Sequence, residues 1–173
     1  MPAEELKRHI RDIPDFPVPG VLFRDLTPLL KSPEAFRLAL GLLEAQAKEH
    51  RPTLVAGIEA RGFVFAAPVA ARLGVGLVPV RKPGKLPWRT IEEDYALEYG
   101  SGRLQIHADA ATAGDRVLLI DDLLATGGTA AAAARLIERT GATVTGMLFL
   151  VEPTQRGGRR LLLNRTVQSL VSF

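Results

Sequence analysis

The stretch Arg116 to Arg139, RVLLIDDLLATGGTAAAAARLIER, decides how the rest of the chain is read. Val117 to Ile120 are four apolar residues, too few for a helix, bounded by Gly114-Asp115 and by two acids, which is the pattern of a buried strand. Asp121 and Asp122 are expected to stand at its carboxyl end, facing outward. After a short bend come Ala125-Thr126-Gly127-Gly128-Thr129. The alanine run behind them, with Arg135, Leu136 and Ile137, predicts a helix that stops at Gly141. A helix begins with unpaired backbone N–H groups and the positive end of its dipole, and glycines let that backbone approach an anion with no Cβ in the way. Thr126 and Thr129 add hydroxyl donors. The arrangement reads as an anion site, a loop around a phosphate monoester with two acids beside it for sugar hydroxyls or a divalent cation. By themselves the same residues also describe a strand end and a threonine-capped helix.

The stretch resembles the 5-phosphoribosyl-1-pyrophosphate (PRPP) motif of the type I phosphoribosyltransferases: two acids, two apolar residues, a small residue and Thr-Gly-Gly-Thr. The longer match IDDLLATGGT is similar to the adenine branch of that family. The resemblance implies that Ala125, Thr126, Gly127, Gly128 and Thr129 hold the ribose 5-phosphate, that Asp121 and Asp122 hold the ribose hydroxyls, and that Leu123 lies at the base. The phosphate loop G-x-x-x-x-G-K-[ST] and the dinucleotide fingerprint G-x-G-x-x-G are both absent from the sequence.

Composition sets bounds on everything else. A chain of 173 residues, 47% hydrophobic, is long enough for a sizeable core and is expected to form one domain. A net charge of +3 favours anionic partners but is spread too thinly to argue for nucleic acid, and no helix-turn-helix or zinc motif supports one. The absence of cysteine excludes disulfides, thiolate chemistry and cysteine metal sites. The first residues, MPAEELKRHIRD, mix both charges, unlike a signal or transit peptide. The apolar run Gly62 to Ala71 is far short of the roughly 20 residues of a membrane span. A cytoplasmic protein without a membrane partner is expected.

Ala3 to Ile13 predicts a short amphipathic helix, and Pro14, Pro17, Pro19 and Gly20 a long loop. Ser32-Pro33-Glu34 gives an N-cap, a first-turn proline and an early acid, so a helix is expected to run to about His50. Strands are expected at Thr53 to Ile58, Val75 to Val80, Thr143 to Val151 and Val167 to Val171, with a helix from Gly62 to Leu73 broken or bent near Pro68. Alternating strands and helices predict an α/β fold, a parallel sheet flanked by helices, with ligands at the strands' carboxyl ends. Tyr95 to Tyr99 and Arg103 to His107 flank Gly100-Ser101-Gly102 and predict a hairpin. His107 is read as structural, and the basic, Gly-rich run Arg156 to Arg160 as solvated.

Three further segments carry the resemblance. FPVPGVLFRDLTPLL resembles the N-terminal hood of the adenine branch, which implies that Phe23 stacks on the base and that the backbone of Leu22 to Arg24 reads its edge; on pattern alone it is a packed surface loop. Glu59-Ala60-Arg61-Gly62 resembles the pyrophosphate loop, usually written with Ser where Ala60 stands. This makes Arg61 a contact of the pyrophosphate and a catalytic residue, and implies a cis Ala60–Arg61 bond; otherwise it reads as a salt-bridged corner. RKPGKLP resembles the flexible lid, taken as residues 81–94, with Arg81, Lys82 and Lys85 as pyrophosphate contacts. In family dimers the start of this lid reaches the neighbouring subunit, so the resemblance implies a homodimer with Arg81 acting in trans. YALEYGSGRLQIH resembles the segment whose glutamate approaches N7 of adenine, which makes Glu98 the candidate catalytic acid.

Good matches cover residues 13 to 152. Together they imply an enzyme of purine salvage that joins adenine to PRPP, releasing AMP and pyrophosphate, with Mg²⁺ bound through PRPP near Asp121 rather than by the protein directly. A sister enzyme for 6-oxopurines and a PRPP-sensing regulator are the alternatives. Ala125 stands where 6-oxopurine enzymes carry an aspartate, and the 12 residues before the Pro-rich loop leave no room for a DNA-binding domain. The whole chain, 1–173, is read as one domain with residues 1–30 as the hood segment.

Overall fold

The computed structural model describes residues 2–96 and 100–173, which pack as two compact units, Met1–Leu42 and Leu43–Phe173. Elements in chain order are α1 (Pro2–Leu6), β1 (Arg11–Ile13), β2 (Phe23–Asp25), α2 (Thr27–Lys31), α3 (Pro33–Glu49), β3 (Leu54–Ile58), α4 (Arg61–Leu73), β4 (Gly76–Val80), β5 (Thr90–Ala96), β6 (Ser101–His107), β7 (Arg116–Leu123), α5 (Gly128–Arg139), β8 (Thr143–Glu152) and β9 (Val167–Ser172). No helix among the described residues is long and apolar enough to cross a membrane.

In the first unit the expected helix over Ala3 to Ile13 is shorter than its pattern. α1 tightens into a single 3₁₀ turn at Lys7–His9, and Arg11–Ile13 leave it to pair antiparallel with β2, Ile13 opposite Phe23. The Pro-rich segment between them is closed by local bonds: Phe16 N–H to the Val21 carbonyl at 3.1 Å and Gly20 N–H to the Asp15 carboxylate at 2.7 Å. Asp25 caps α2, accepting from the backbone N–H and the hydroxyl of Thr27, each at 2.9 Å. The predicted cap of α3 forms, with Ser32 Oγ accepting from Ala35 N–H at 3.2 Å.

The second unit is built on a five-stranded parallel sheet in the order β4-β3-β7-β8-β9. Buried residues of α4 fall at Gly62, Phe65, Ala66, Val69 and Ala70, the spacing of one helical face. That face lies on the side of the sheet carrying Gly57 and Ile120, for a Cβ added to Gly57 would stand 2.7 Å from Ala66 Cβ. Alternate strand residues, Ala56, Ile58, Val117 and Leu119, point the other way into a core shared with Ala130–Ala134, Leu136 and Ile137 of α5. Helices therefore cover both faces, as the alternation of elements requires. Pro68 does not break α4, which is continuous through it. The carbonyl that loses its donor is on Val64, one of the exposed large apolar residues, and can bond water instead.

The antiparallel pair β5–β6 folds over the edge of α5, its inner residues Leu104 and Ile106 in the shared core. β5 begins earlier than the hairpin pattern indicates, so Thr90–Asp94 of the segment read as lid are strand residues. Arg103 holds that segment, donating to Asp94 at 2.5 and 3.0 Å and to Glu92 at 2.9 Å, and Arg135 of α5 donates to Glu93 at 2.6 Å. Nor is the basic run after β8 simply solvated. Arg159 grips the buried Glu152 with two bonds of 2.8 Å, and Gly158 is itself buried.

Candidate functional site

The sheet order fixes where a ligand can enter. β3 connects outward to β4 and β7 connects the other way to β8, so the carboxyl ends of β3 and β7 diverge, the topological switch point of an open parallel sheet. Pairing of β3 with β7 ends at Gly57 opposite Ile120, whereas β7 stays paired with β8 to Leu123 opposite Val151. Beyond Ile120 one edge of β7 is therefore open, and there stand Asp121 and Asp122. The acids belong to the strand itself rather than following it. As a result they do not both face outward: Asp122 is 6% exposed and Asp121 half-buried.

A cavity of about 390 Å³ occupies this crevice, within the range of small-molecule sites. Of the residues singled out from sequence, it is lined by Arg61, Lys82, Asp121, Asp122, Leu123, Ala125, Thr126, Gly127 and Thr129. Ile58, Glu59, Ala60, Tyr95, Leu124 and Ala130 complete it. The sequence alone assigns no role to Glu59 or Tyr95, although both sit in segments that carry the resemblance. Gly128 is buried behind the loop as the first residue of α5, while Arg81 and Lys85 are not among the lining residues. Glu98 lies outside the described residues. Leu22, Phe23 and Arg24 belong to the first unit, where the Phe23 ring meets Phe16 edge to face at 5.1 Å and the Arg24 guanidinium pairs with Asp12. The Arg24 side chain is thus committed to Asp12, so what residue 24 itself offers is its backbone.

The electrostatics are those of a paired site. Arg61, first residue of α4, forms an ion pair with Asp122 across the crevice. Burial, and next to it the Asp122 carboxylate, push the Asp121 carboxyl well above its ordinary value, while the hydrogen bond from Asp122 N–H to its Oδ1, 2.9 Å long, works the other way. The Asp121 carboxylate fits only because residue 62 has no side chain, since a Cβ there would stand 2.6 Å from Oδ1. On the other side of the turn, Glu59 accepts from Arg81 Nε at 2.9 Å, and Arg81 also donates to the Lys85 carbonyl at 3.2 Å. The non-proline cis bond is Glu59–Ala60, one residue before the expected Ala60–Arg61. Ala60 already has helical backbone angles as the N-cap of α4, so its bond to Arg61 is part of the helix start.

The loop from Ala125 to Thr129 leads into α5 with Gly127 as N-cap at φ +83° and with no side-chain cap bond. The threonines do not cap this helix, so the first-turn N–H groups keep their capacity for an anion. The glycines also serve a contact beyond the one expected. A Cβ on Gly127 would lie 2.2 Å from the Gly158 carbonyl oxygen, and one on Gly128 3.0 Å from the Ala96 carbonyl. Both positions are small because other backbone segments press against the loop.

Comparison with known proteins agrees with this geometry. The family model described as the phosphoribosyl transferase domain matches residues 29–170. The adenine phosphoribosyltransferase of Thermosipho melanesiensis is 51% identical over 173 residues, covering all of this chain and 99% of that protein. The crystal structure of adenine phosphoribosyltransferase from Thermoanaerobacter pseudethanolicus superposes with a TM-score of 0.96 at 50% identity, over 99% of each chain. The Saccharomyces cerevisiae enzyme, complexed with an imino-altritol bisphosphate and adenine, superposes with 0.93 at 38% identity over 98% of each. A parallel sheet with its cavity at the switch point, acids on β7 and an uncapped loop before α5 accompany this likeness across nearly the full length, and the chain belongs to the phosphoribosyltransferase family, in its adenine branch.

Proposed function

We propose that this chain joins adenine to PRPP, giving AMP and pyrophosphate, as an enzyme of purine salvage. The observation that carries the reading is the single cavity in which Arg61, Lys82, the Asp121–Asp122 pair and the Ala125–Thr129 loop converge. Its parts match the parts of PRPP: a loop of N–H donors for the 5-phosphate, acids for the sugar hydroxyls, cations for the pyrophosphate. The names of the relatives supply the base, and Ala125 agrees with them, since no carboxylate at that position can meet N7 of a 6-oxopurine.

In the reaction the bond from ribose C1 to the pyrophosphate oxygen breaks as the bond from C1 to N9 of adenine forms, through a sugar centre with oxocarbenium character. The protein positions the partners and stabilises charge. Arg61 and Lys82 neutralise the leaving pyrophosphate, Asp121 and Asp122 orient the sugar, and Glu98 binds at N7 so that N9 can release its proton. Leu123 is assigned to the base, and so, from the resemblance of their own segment, are Phe23 and the backbone of Leu22 to Arg24. Mg²⁺ when bound supplies further neutralisation of the pyrophosphate. The two aspartates are suitable hard oxygen donors for it, but only together with oxygens of the substrate, because no group of three potential ligand side chains gathers among the described residues. Arg81 is assigned to the pyrophosphate of a neighbouring copy in a homodimer, as the resemblance of its segment to the family's lid implies. PRPP is multiply charged and crosses a bilayer only at great cost, which supports a cytoplasmic site of action.

The test is incubation with PRPP, Mg²⁺ and each of adenine, hypoxanthine, guanine and xanthine, with kcat/KM measured for nucleotide formation. A site that reads hydrogen bonds at the purine edge discriminates by about 10⁴ to 10⁵. A 6-oxopurine used within about tenfold of adenine replaces this reading with the sister activity.

A further inference from the structure

The segment after β8 has no place in the chemistry above, yet its backbone touches the loop that does. Gly158 and the Ala125–Gly128 loop approach closely from both sides: a Cβ on Gly127 would lie 2.2 Å from the Gly158 oxygen, and a Cβ on Gly158 2.5 Å from the Ala125 oxygen. Two chain segments in contact through backbone atoms leave no flexible side chain to absorb a change. The 157–158 turn is in turn fixed to the sheet. Arg159, the next residue, holds the buried Glu152 at the end of β8 with two bonds of 2.8 Å and donates to the Val167 carbonyl at 2.9 Å. Ser169 Oγ adds a bond of 2.7 Å to the same carboxylate, and Leu162 is anchored in the core.

We infer that Gly158, held by the Arg159–Glu152 pair, is a positioning residue for the phosphate-binding loop, setting how far the Ala125–Thr129 backbone stands out toward the 5-phosphate of the substrate. The inference rests on the assignment of that loop to the 5-phosphate. Its physical content is that the loop cannot settle back, because the Gly158 carbonyl already fills the space that a side chain at Gly127 would need. Nor can it advance without leaving the turn behind it. The loop's donors are uncapped, so their height is set by this backing and not by an internal hydrogen bond.

Gly158→Ala tests it. The φ of Gly158 lies outside the left-handed region, so alanine suits the backbone, and its Cβ acts by pushing on the Ala125 carbonyl and on Leu124 Cδ1, 2.9 Å away. Binding of ribose 5-phosphate, of Mg-pyrophosphate and of adenine is measured separately by calorimetry, with KM for PRPP and for adenine beside them. The expected result is a loss of about tenfold to a hundredfold in ribose 5-phosphate affinity and a matching rise in KM for PRPP, the scale of one hydrogen bond to a charged group lost. Pyrophosphate and adenine binding are expected to be unchanged. Equal losses for all three ligands, or an unaltered ribose 5-phosphate affinity, overturn the inference. Wild-type protein that binds pyrophosphate but not ribose 5-phosphate instead removes the loop assignment beneath it. Should Gly158→Ala not fold, Arg159→Lys keeps a cation beside Glu152 while losing the two-pronged grip, and is expected to raise KM for PRPP alone. An unchanged KM in that variant overturns the inference equally.

Discussion

Gly62→Ala is the substitution whose consequence the structure specifies most closely. A Cβ at residue 62 would stand 2.6 Å from Asp121 Oδ1, 3.2 Å from the Ile120 carbonyl oxygen and 3.4 Å from Asp121 Cα. Bringing the shortest of these to the 3.4 Å of an ordinary contact takes about 0.8 Å, and only two routes exist. Either the start of α4 retreats from β7, carrying Arg61 away from Asp122, or the Asp121 carboxylate swings aside and Asp122 N–H loses its acceptor. Overpacking of this kind costs about 1 to 3 kcal/mol, and the lost bond of the second route about 1 kcal/mol, so the urea midpoint should fall by a corresponding amount at unchanged m-value. Both routes move a proposed PRPP contact, so kcat/KM for PRPP is expected to drop about tenfold to a hundredfold. KM for adenine should change little. Gly41→Ala is the control. It sits in the exposed interior of α3 with nothing within 4 Å of the added Cβ, and should gain up to about 1 kcal/mol from helix propensity with kinetics unaltered. Wild-type stability and PRPP kinetics in Gly62→Ala would refute the close approach of α4 to β7 as the reason for glycine.

The other expectations concern the charges of the site. Because the Asp121 carboxyl is raised above its ordinary 3.8 by burial and by Asp122, the folded state keeps a proton that the unfolded chain releases. Its contribution to stability is therefore full below 3.8 and is lost as pH rises through the folded value, so Asp121→Asn should melt higher than wild type at neutral pH while losing most turnover; a lower melting temperature there would contradict the sign. Arg61→Ala should weaken PRPP and pyrophosphate about tenfold to a hundredfold, the worth of one charged hydrogen bond, and adenine far less. Equal losses for both substrates would make its role structural. Glu98→Gln is expected to lower kcat by about 10² to 10⁴, and near-normal turnover would remove the glutamate from the chemistry.

Local patterns carried most of the fold. Ser32-Pro33-Glu34 set the start of α3, the apolar run after Thr53 gave β3, and the alanines gave α5, because each of these signals lies within the element it specifies. What sequence could not place was decided by neighbours distant in the chain. β7 runs on through the two aspartates because β8 pairs with it to Val151, and an acid in a strand cannot be told from an acid after one by periodicity alone. Arg11–Ile13 continue a helical pattern, yet an antiparallel partner at Phe23–Asp25 claims them. The Gly-Gly pair has a second reason to be small that its own sequence does not show. Its smallness answers to Gly158 and Ala96, and nothing in a window around residue 127 announces either contact. The same holds for Arg159, whose partner on β8 makes a basic run into an anchor.

The arrangement of charge also says how the proposed substrate must be recognised. Arg61, one of the two cations lining the cavity, already has a carboxylate partner on Asp122, and Arg81 beside the site is held by Glu59. An arriving pyrophosphate therefore meets Lys82 together with an Arg61 whose Nε is already held by Asp122, and it engages Arg61 either beside that bond or by drawing it away. Asp122 is buried, and removing one partner of such a pair leaves an uncompensated charge at a cost of about 3 to 5 kcal/mol. That cost is avoided where Arg61 keeps its Nε bond to Asp122, or where the same ligand brings something for the carboxylate, namely sugar hydroxyls and the cation they share with the phosphates. Inorganic pyrophosphate without a divalent ion supplies neither, whereas PRPP carrying Mg²⁺ supplies both in one molecule. The pairing of Arg61 with Asp122 is expected to favour an anion that arrives with the rest of the substrate, and metal-free pyrophosphate binding as tightly as PRPP with Mg²⁺ would contradict that expectation.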